Sequence, residues 1–150
     1  MSYKTAFAAL FLIAACASQR NMPNVTEPEI DVGQEIGPAE LNYPTGPIEV
    51  KFDFRIANHW TKPMTVTRIE LSTVNAEVSG GAYALRHDFY NVKQTIVPGD
   101  TIIIPIWAHA YSFGRNLREG EPVTIRSIVH FDTPDGPYQK VLIRNIPQPS

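Results

Sequence analysis

Thiols, basic runs and catalytic motifs are all scarce in this chain of 150 residues. The single cysteine is Cys16, so the rest of the chain has no thiol with which to form a disulfide. The 13 Lys and Arg residues are outnumbered by 15 Asp and Glu residues, which argues against a nucleic-acid partner. Neither G-x-S-x-G nor S-x-x-K occurs, and no glycine-rich phosphate loop is present. The sequence therefore predicts a protein that is not an enzyme and needs no cofactor.

The N-terminus has the pattern of a secretory leader. Lys4 supplies a positive charge, and residues 5–15 form an apolar run that is much shorter than the roughly 20 residues of a membrane-spanning helix. Small residues follow, as a cleavage site requires. The alternatives are an ordinary signal peptide cut at another position and an uncleaved N-terminal anchor.

The quartet Ile13-Ala14-Ala15-Cys16 at the end of this run resembles the lipobox of bacterial lipoproteins. The resemblance implies that residues 1–15 are removed and that Cys16 carries a diacylglycerol, so that the protein partners a membrane through this lipid. Two or three acyl chains anchor firmly, because each buried CH₂ contributes about 0.8 kcal/mol. Ala17 in the next position resembles the pattern of lipoproteins sent to an outer membrane. The implied location is the bacterial cell envelope, at the outer membrane and facing the periplasm.

Residues 16–46 have the composition of a flexible tether. Prolines recur throughout the segment, acidic residues are frequent, and no Lys or Arg follows Arg20. Such a segment buries little apolar surface and favours extended or disordered backbone. The alternative is that residues 30–41 pack along the domain as an additional edge strand.

The folded domain is predicted for residues 47–150, where short apolar segments replace helical periodicity. Residues 48–57 alternate apolar and polar side chains, which is typical of a strand with one buried face. The segment that begins at Met64 is also strand-like, but its apolar residues change parity. A bulge near Thr67-Arg68 is therefore predicted, because one extra residue restores the apolar side chains to a single face.

The strand predicted at residues 101–110 has apolar side chains on both faces. The predicted inner face consists of Ile102, Ile104, Ile106 and Ala108, whereas Ile103 and Trp107 point the other way. Pro105 cannot donate a ladder hydrogen bond, so this strand is expected to be an edge or to carry a bulge.

A hairpin is predicted to close the domain around the segment T-P-D-G-P. A three-residue connection with Gly136 as a left-handed bulge fits these residues. The expected pairs are Thr133 with Pro137, Val129 with Val141 and Ser127 with Ile143, the last two on the core face.

Short strands with turn residues between them predict an all-β, antiparallel sandwich of immunoglobulin or fibronectin type with about seven strands. The order of a strand, N-x-x-x-x-P-M-T-V-T-R-I-E-L, a loop of small residues, I-V-P-G-D and an apolar strand is similar to the LEA14/WHy type of late-embryogenesis-abundant domain. The residues that carry the likeness are Asn58, Pro63, Ile69, Leu71, Pro98 and Gly99. The resemblance implies a β-sandwich associated with desiccation and stress, without catalytic residues.

The aromatic residues supply the candidate binding site. Trp60 lies in the first turn, and Ile103 and Trp107 share the outward side of their strand, so these three are the candidate partner-binding residues. The alternative is that both tryptophans complete the core or lie under the tether.

The histidines do not predict a metal site. None of His59, His87, His109 and His130 has another histidine two or four positions away, so local ligand spacing is absent. The alternative is that His87-Asp88 joins a remote histidine to bind zinc or copper.

Taken together, these patterns favour a membrane-anchored envelope lipoprotein. Its β-sandwich is expected to bind or support an envelope protein. The alternatives are a periplasmic module that binds a metal or a small ligand, and a small hydrolase whose site is assembled from remote residues.

Overall fold

Two antiparallel sheets make up the part of the chain that the computed structural model describes, residues 25–36, 45–74, 83–113 and 122–147. The strands are β1 (Glu29–Ile36), β2 (Gly46–Ala57), β3 (Met64–Thr73), β4 (Tyr83–Leu85), β5 (Asp88–Ile96), β6 (Thr101–Ser112), β7 (Val123–Thr133) and β8 (Gly136–Ile146). Sheet A has the order β1-β2-β6-β4, and sheet B has the order β5-β3-β7-β8. The predicted all-β sandwich is confirmed. The predicted leader and Cys16 lie outside the described residues, and none of the described residues belongs to a helix that could span a membrane.

The core lies between the sheets and is built from alternating side chains. β2 buries Ile48, Val50, Phe52, Phe54 and Ile56, as its period-two pattern predicts. From β6 the core receives Ile104, Ile106 and Ala108, with Ile102 partly buried. Each large apolar side chain that is removed from water contributes about 1.5–3 kcal/mol, so these two neighbouring rows of sheet A hold its centre against sheet B.

β3 carries the bulge that its sequence requires. The pairing of β3 with both β5 and β7 shifts between Val66 and Arg68, which passes over Thr67. Val66 and Ile69 are both fully buried, although their parities differ. The extra residue is what allows both side chains to reach the core, and the predicted bulge is confirmed.

Part of the acidic segment ahead of the domain is a strand. β1 pairs with β2, and Ile30 and Val32 are buried against the core. The tether prediction is therefore wrong for residues 29–36, where the alternative of an edge strand is correct. The physical reason is alternation: the acidic residues of β1 stay on one face and leave an apolar face for the core. The Lys140 ammonium donates to the Pro28 carbonyl at 2.8 Å and so ties the start of β1 to β8.

The β7–β8 hairpin differs by one residue from its predicted register. The observed pairs are Thr133 with Gly136, Val129 with Lys140 and Ser127 with Leu142. The connection therefore has two residues, and Gly136 follows it with φ of 120°. Val141 and Ile143, expected on the core face, are 49% and 58% exposed. A shift of one residue in register moves every side chain of the strand to the opposite face, which explains why Val141 and Ile143 are exposed and not in the core.

Pro105 lies where β6 has a neighbour on one side. β2 pairs with β6 along its whole length without a register shift, whereas β4 covers only residues 110–112. Among the described residues, β6 is thus an edge strand at Pro105, as predicted.

Candidate interaction face on strand β6

The three predicted partner-binding residues do not share one surface. Trp60 is only 7% exposed and belongs to the core cluster, so its assignment to an exposed site is wrong. The cause is local, because the Trp60 backbone N–H donates to Asn58 Oδ1 at 2.9 Å and this turn directs the indole inward. The Lys62 ammonium lies 5.2 Å from the centroid of the ring, in a cation–π contact.

Asn58 joins the turn that contains Trp60 to the turn before β6. Its buried side-chain amide donates to the carbonyls of Lys62, at 3.0 Å, and of Ile96, at 2.9 Å. Its backbone N–H donates to the Asp100 carbonyl at 2.9 Å, and its carbonyl accepts from the Gly99 N–H at 2.8 Å. Asn58 and Gly99 therefore have a structural role, because they fix the point from which β6 begins.

The outward side chains of β6 form a continuous row, which we call the β6 stripe. Its members are Ile103, Pro105, Trp107, His109 and Tyr111, all exposed. Ile103 is 59% exposed and Trp107 is 45% exposed, so the prediction that they point away from the core is confirmed. The stripe presents apolar and aromatic surface to solvent over most of the strand.

Tyr111 is a member of the stripe that sequence reasoning missed. It is 52% exposed, and its ring makes an edge-to-face contact with Phe113 at a centroid distance of 6.1 Å. The signal was present, because Tyr111 continues the parity of Ile103 and Trp107 beyond the point where the predicted strand ended. Beside it lies a shallow groove lined by Pro47, Ala84, Leu85, Arg86, His109, Ala110 and Tyr111.

A charged row from β2 flanks the stripe. The paired residues are Arg55 with Ile103, Asp53 with Pro105, Lys51 with Trp107 and Glu49 with His109. Side chains directly opposite one another on the same face of a sheet lie close enough to interact. The face therefore combines an apolar strip with a charged border, which is the usual arrangement of a protein-binding patch.

The border contains a cluster of three charges beside Trp107. The Lys51 ammonium contacts the Glu35 carboxylate and lies 3.9 Å from Asp53 Oδ1. The hydrogen bond from Lys51 lowers the pKa of Glu35, and the same bond raises the pKa of Lys51. Burial, followed by the neighbouring Glu35 carboxylate, raises the pKa of Asp53. Lys51 thus stabilises the ionised form of Glu35, whereas the ionised form of Asp53 is disfavoured.

Two of the histidines approach the same carboxylate, and a third approaches Asp88. His130 Nε2 lies 2.9 Å from Glu70 Oε1, while His87 Nε2 lies 3.8 Å from the other oxygen of that carboxylate. Asp88 instead approaches His109, at 3.9 Å. His87 and Asp88 therefore turn toward different partners. Within the four described ranges, no group of three or more His, Cys, Asp or Glu side chains could hold a metal ion.

The resemblance of this chain to known proteins is limited to the fold. No protein-family model matches the chain, and neither does any curated protein sequence. The chain is similar to a Bordetella pertussis structure provisionally named ApaA, with 16% identity, a TM-score of 0.51, and coverage of 82% of this chain and 96% of that one. A protein from Archaeoglobus fulgidus is 14% identical over 81% of this chain and 95% of its own, with a TM-score of 0.49. The Bordetella structure supports the sandwich architecture alone.

Proposed function

We propose that this protein is a lipid-anchored envelope lipoprotein whose β-sandwich docks another envelope protein on the β6 stripe. The observation that carries the proposal is the exposed row itself, in which Ile103, Trp107 and Tyr111 are each about half exposed. The charged β2 row at its border would supply register and on-rate, since rim charges act mainly on encounter and specificity.

The energetics suit a docking role. Aromatic residues are enriched among the few positions that carry most of the binding energy of an interface, and Trp107 lies near the middle of the stripe. Trp107 therefore acts as the anchor, with Ile103 and Tyr111 on either side excluding water from it.

The predicted anchor gives the partner a location. If Cys16 carries the lipid, the nine peptide steps to Val25, the first described residue, reach at most about 30 Å. The sandwich would then stay close to the membrane surface. This distance favours a partner that is itself a membrane-proximal envelope protein.

The docking proposal can be tested by site-specific photocrosslinking in the producing bacterium. A photoreactive residue at Ile103 is expected to give a discrete crosslinked species. Ile143 is a matched control, because it is 58% exposed against 59% for Ile103 but lies on the outer face of sheet B. Equal crosslinking from both positions, or none from Ile103, would contradict the proposal.

The anchor has its own test. Cys16→Ser should abolish incorporation of labelled palmitate and move the protein out of the membrane fraction. Equal labelling of the variant and the wild type would exclude lipidation at Cys16 while leaving the docking proposal open to its own experiment.

A further inference from the structure

In the described part of the chain, the side of β6 that faces away from β2 is unpaired over most of the strand. β4 pairs only with residues 110–112, and within the described ranges no strand pairs with residues 101–109. The Arg86 N–H donates to the His109 carbonyl at 3.0 Å, so the backbone groups of His109 point toward this open edge. Because backbone groups alternate in direction along a strand, those of Pro105 and Trp107 point the same way.

An edge of this kind is a template for a second strand. It combines unpaired backbone groups with the exposed apolar side chains of Ile103 and Trp107, and such edges promote pairing between chains. Pro105 lies between these two residues, and its nitrogen carries no hydrogen at a position that would have to donate. We propose that Pro105 prevents this edge from pairing with a second extended strand.

Pairing between two copies of this chain shows how strongly the missing N–H of Pro105 disfavours a shared sheet. Two copies related by a twofold axis would place their β6 edges antiparallel, and each copy would bring its own Pro105 into the ladder. Two donors are then missing in any register that includes residue 105. In the register centred on residue 105, the missing bonds are the two central ones, and the two proline rings face each other there. The inference concerns the edge and stands whether or not the stripe binds a partner.

The experiment compares the oligomeric state of variants. Pro105→Val restores the donor with a residue that favours strands, and Thr101→Val is the matched control because it adds a similar side chain to the same face without adding a donor. Sedimentation velocity of the full chain in a mild detergent, over a concentration series, gives the monomer–dimer equilibrium. Pro105→Val is expected to dimerise with an apparent Kd at least about tenfold below those of the wild type and Thr101→Val.

A lysine at the same position separates the donor from the charge. Pro105→Lys restores the N–H but adds a charge that opposes edge pairing, so it should sediment like the wild type. The proposal is wrong if folded Pro105→Val stays monomeric over the whole series, if Thr101→Val dimerises equally, or if the wild type itself pairs through β6. Should Pro105→Val fail to fold, Pro105→Thr provides the same test with a smaller apolar gain. Photocrosslinking at Ile103 reports separately on the partner, so the two proposals can fail independently.

Discussion

The two tryptophans of this protein differ in their sequence surroundings and in their structural positions. Trp60 lies between His59 and Thr61 in a polar turn, whereas Trp107 lies between Ile106 and Ala108 in an apolar strand, yet Trp60 is 7% exposed and Trp107 is 45% exposed. The position of Trp60 is set by a turn, in which Asn58 Oδ1 accepts its N–H. The position of Trp107 is set by strand alternation alone. Turn chemistry can therefore turn an indole inward where composition suggests exposure, whereas alternation predicts its direction correctly.

The largest effect is expected from Trp60→Ala. Removal of a buried indole leaves a cavity beside the core, so the free energy of unfolding should fall by about 3–5 kcal/mol. Urea denaturation followed by circular dichroism measures this loss. Trp60→Phe is the control and should retain most of the stability, because it keeps an aromatic ring in the site. A loss below about 1 kcal/mol would mean that Trp60 is not a core residue and would remove the contrast with Trp107.

Asn58→Ala should be the next most damaging change. It leaves the Trp60 N–H and the Ile96 carbonyl without their side-chain partner in a buried turn, at a cost of about 2–3 kcal/mol. His59→Ala is a matched control in the same turn, since His59 makes an exposed contact with Glu29 at 3.0 Å. It should change stability by less than about 0.5 kcal/mol. Equal losses in the two variants would show that the turn is not organised by Asn58.

Gly136→Val tests the β7–β8 hairpin, whose connection contacts the turn that contains Trp60. Asp135 binds Lys62, which covers Trp60, so this hairpin is coupled to the turn. Gly136 has φ of 120° with open space where a Cβ would lie, so the cost is backbone strain, about 1–2 kcal/mol, rather than a clash. Gly136→Ala should lose somewhat less. Thermal melts of both variants would contradict this account if neither differed from the wild type.

The sequence was sufficient for the elements in which alternation acts alone. The ten-residue pattern of β2, the parity change that requires the β3 bulge, and the outward direction of Ile103 all follow from a period of two. The hairpin register was wrong because T-P-D-G-P accommodates a connection of either two or three residues. The tether prediction was wrong for β1 because it rested on acidic composition and did not consider that Ile30 and Val32 share one face of a strand.

The candidate site was predictable only in part for the same reason. Ile103 and Trp107 were found because they lie within a regular strand. Trp60 was misplaced because its direction depends on one hydrogen bond from Asn58, which no periodicity reports. The open edge of β6 depends on where β4 ends, and that is a property of the whole sheet.

Asp53→Asn is expected to have a small stabilising effect beside Trp107. The pKa of Asp53 is raised mainly by burial, so folding favours its neutral form. The cost in stability builds up as the pH rises above the unfolded pKa and is complete above the folded pKa. The variant should gain about 0.5 kcal/mol at neutral pH, after allowance for solvent screening. Its advantage should vanish at a pH below the unfolded pKa. Denaturation at several pH values measures the trend.

Glu35→Gln is expected to change the stability in the opposite direction to Asp53→Asn. The pKa of Glu35 is lowered by its bond from Lys51, so its contribution is present above the unfolded pKa and lost as the pH falls through the folded pKa. This variant should therefore be less stable than the wild type at neutral pH, with a difference that closes in acid. If the stability of the two variants relative to the wild type changed with pH in the same direction, the opposite pKa shifts of Glu35 and Asp53 would be contradicted.

The smallest effect on stability is expected from Trp107→Ala, and it sharpens the comparison most. Because the indole lies on the outer face, its removal should change the free energy of unfolding by no more than about 0.5 kcal/mol, while crosslinking from Ile103 should be lost. Ile143→Ala, on sheet B, should leave both measurements unchanged. A stability loss of about 3 kcal/mol for Trp107→Ala would instead place it among the core aromatics with Trp60. The β6 stripe would then be part of the support of the fold, and no docking surface would exist there.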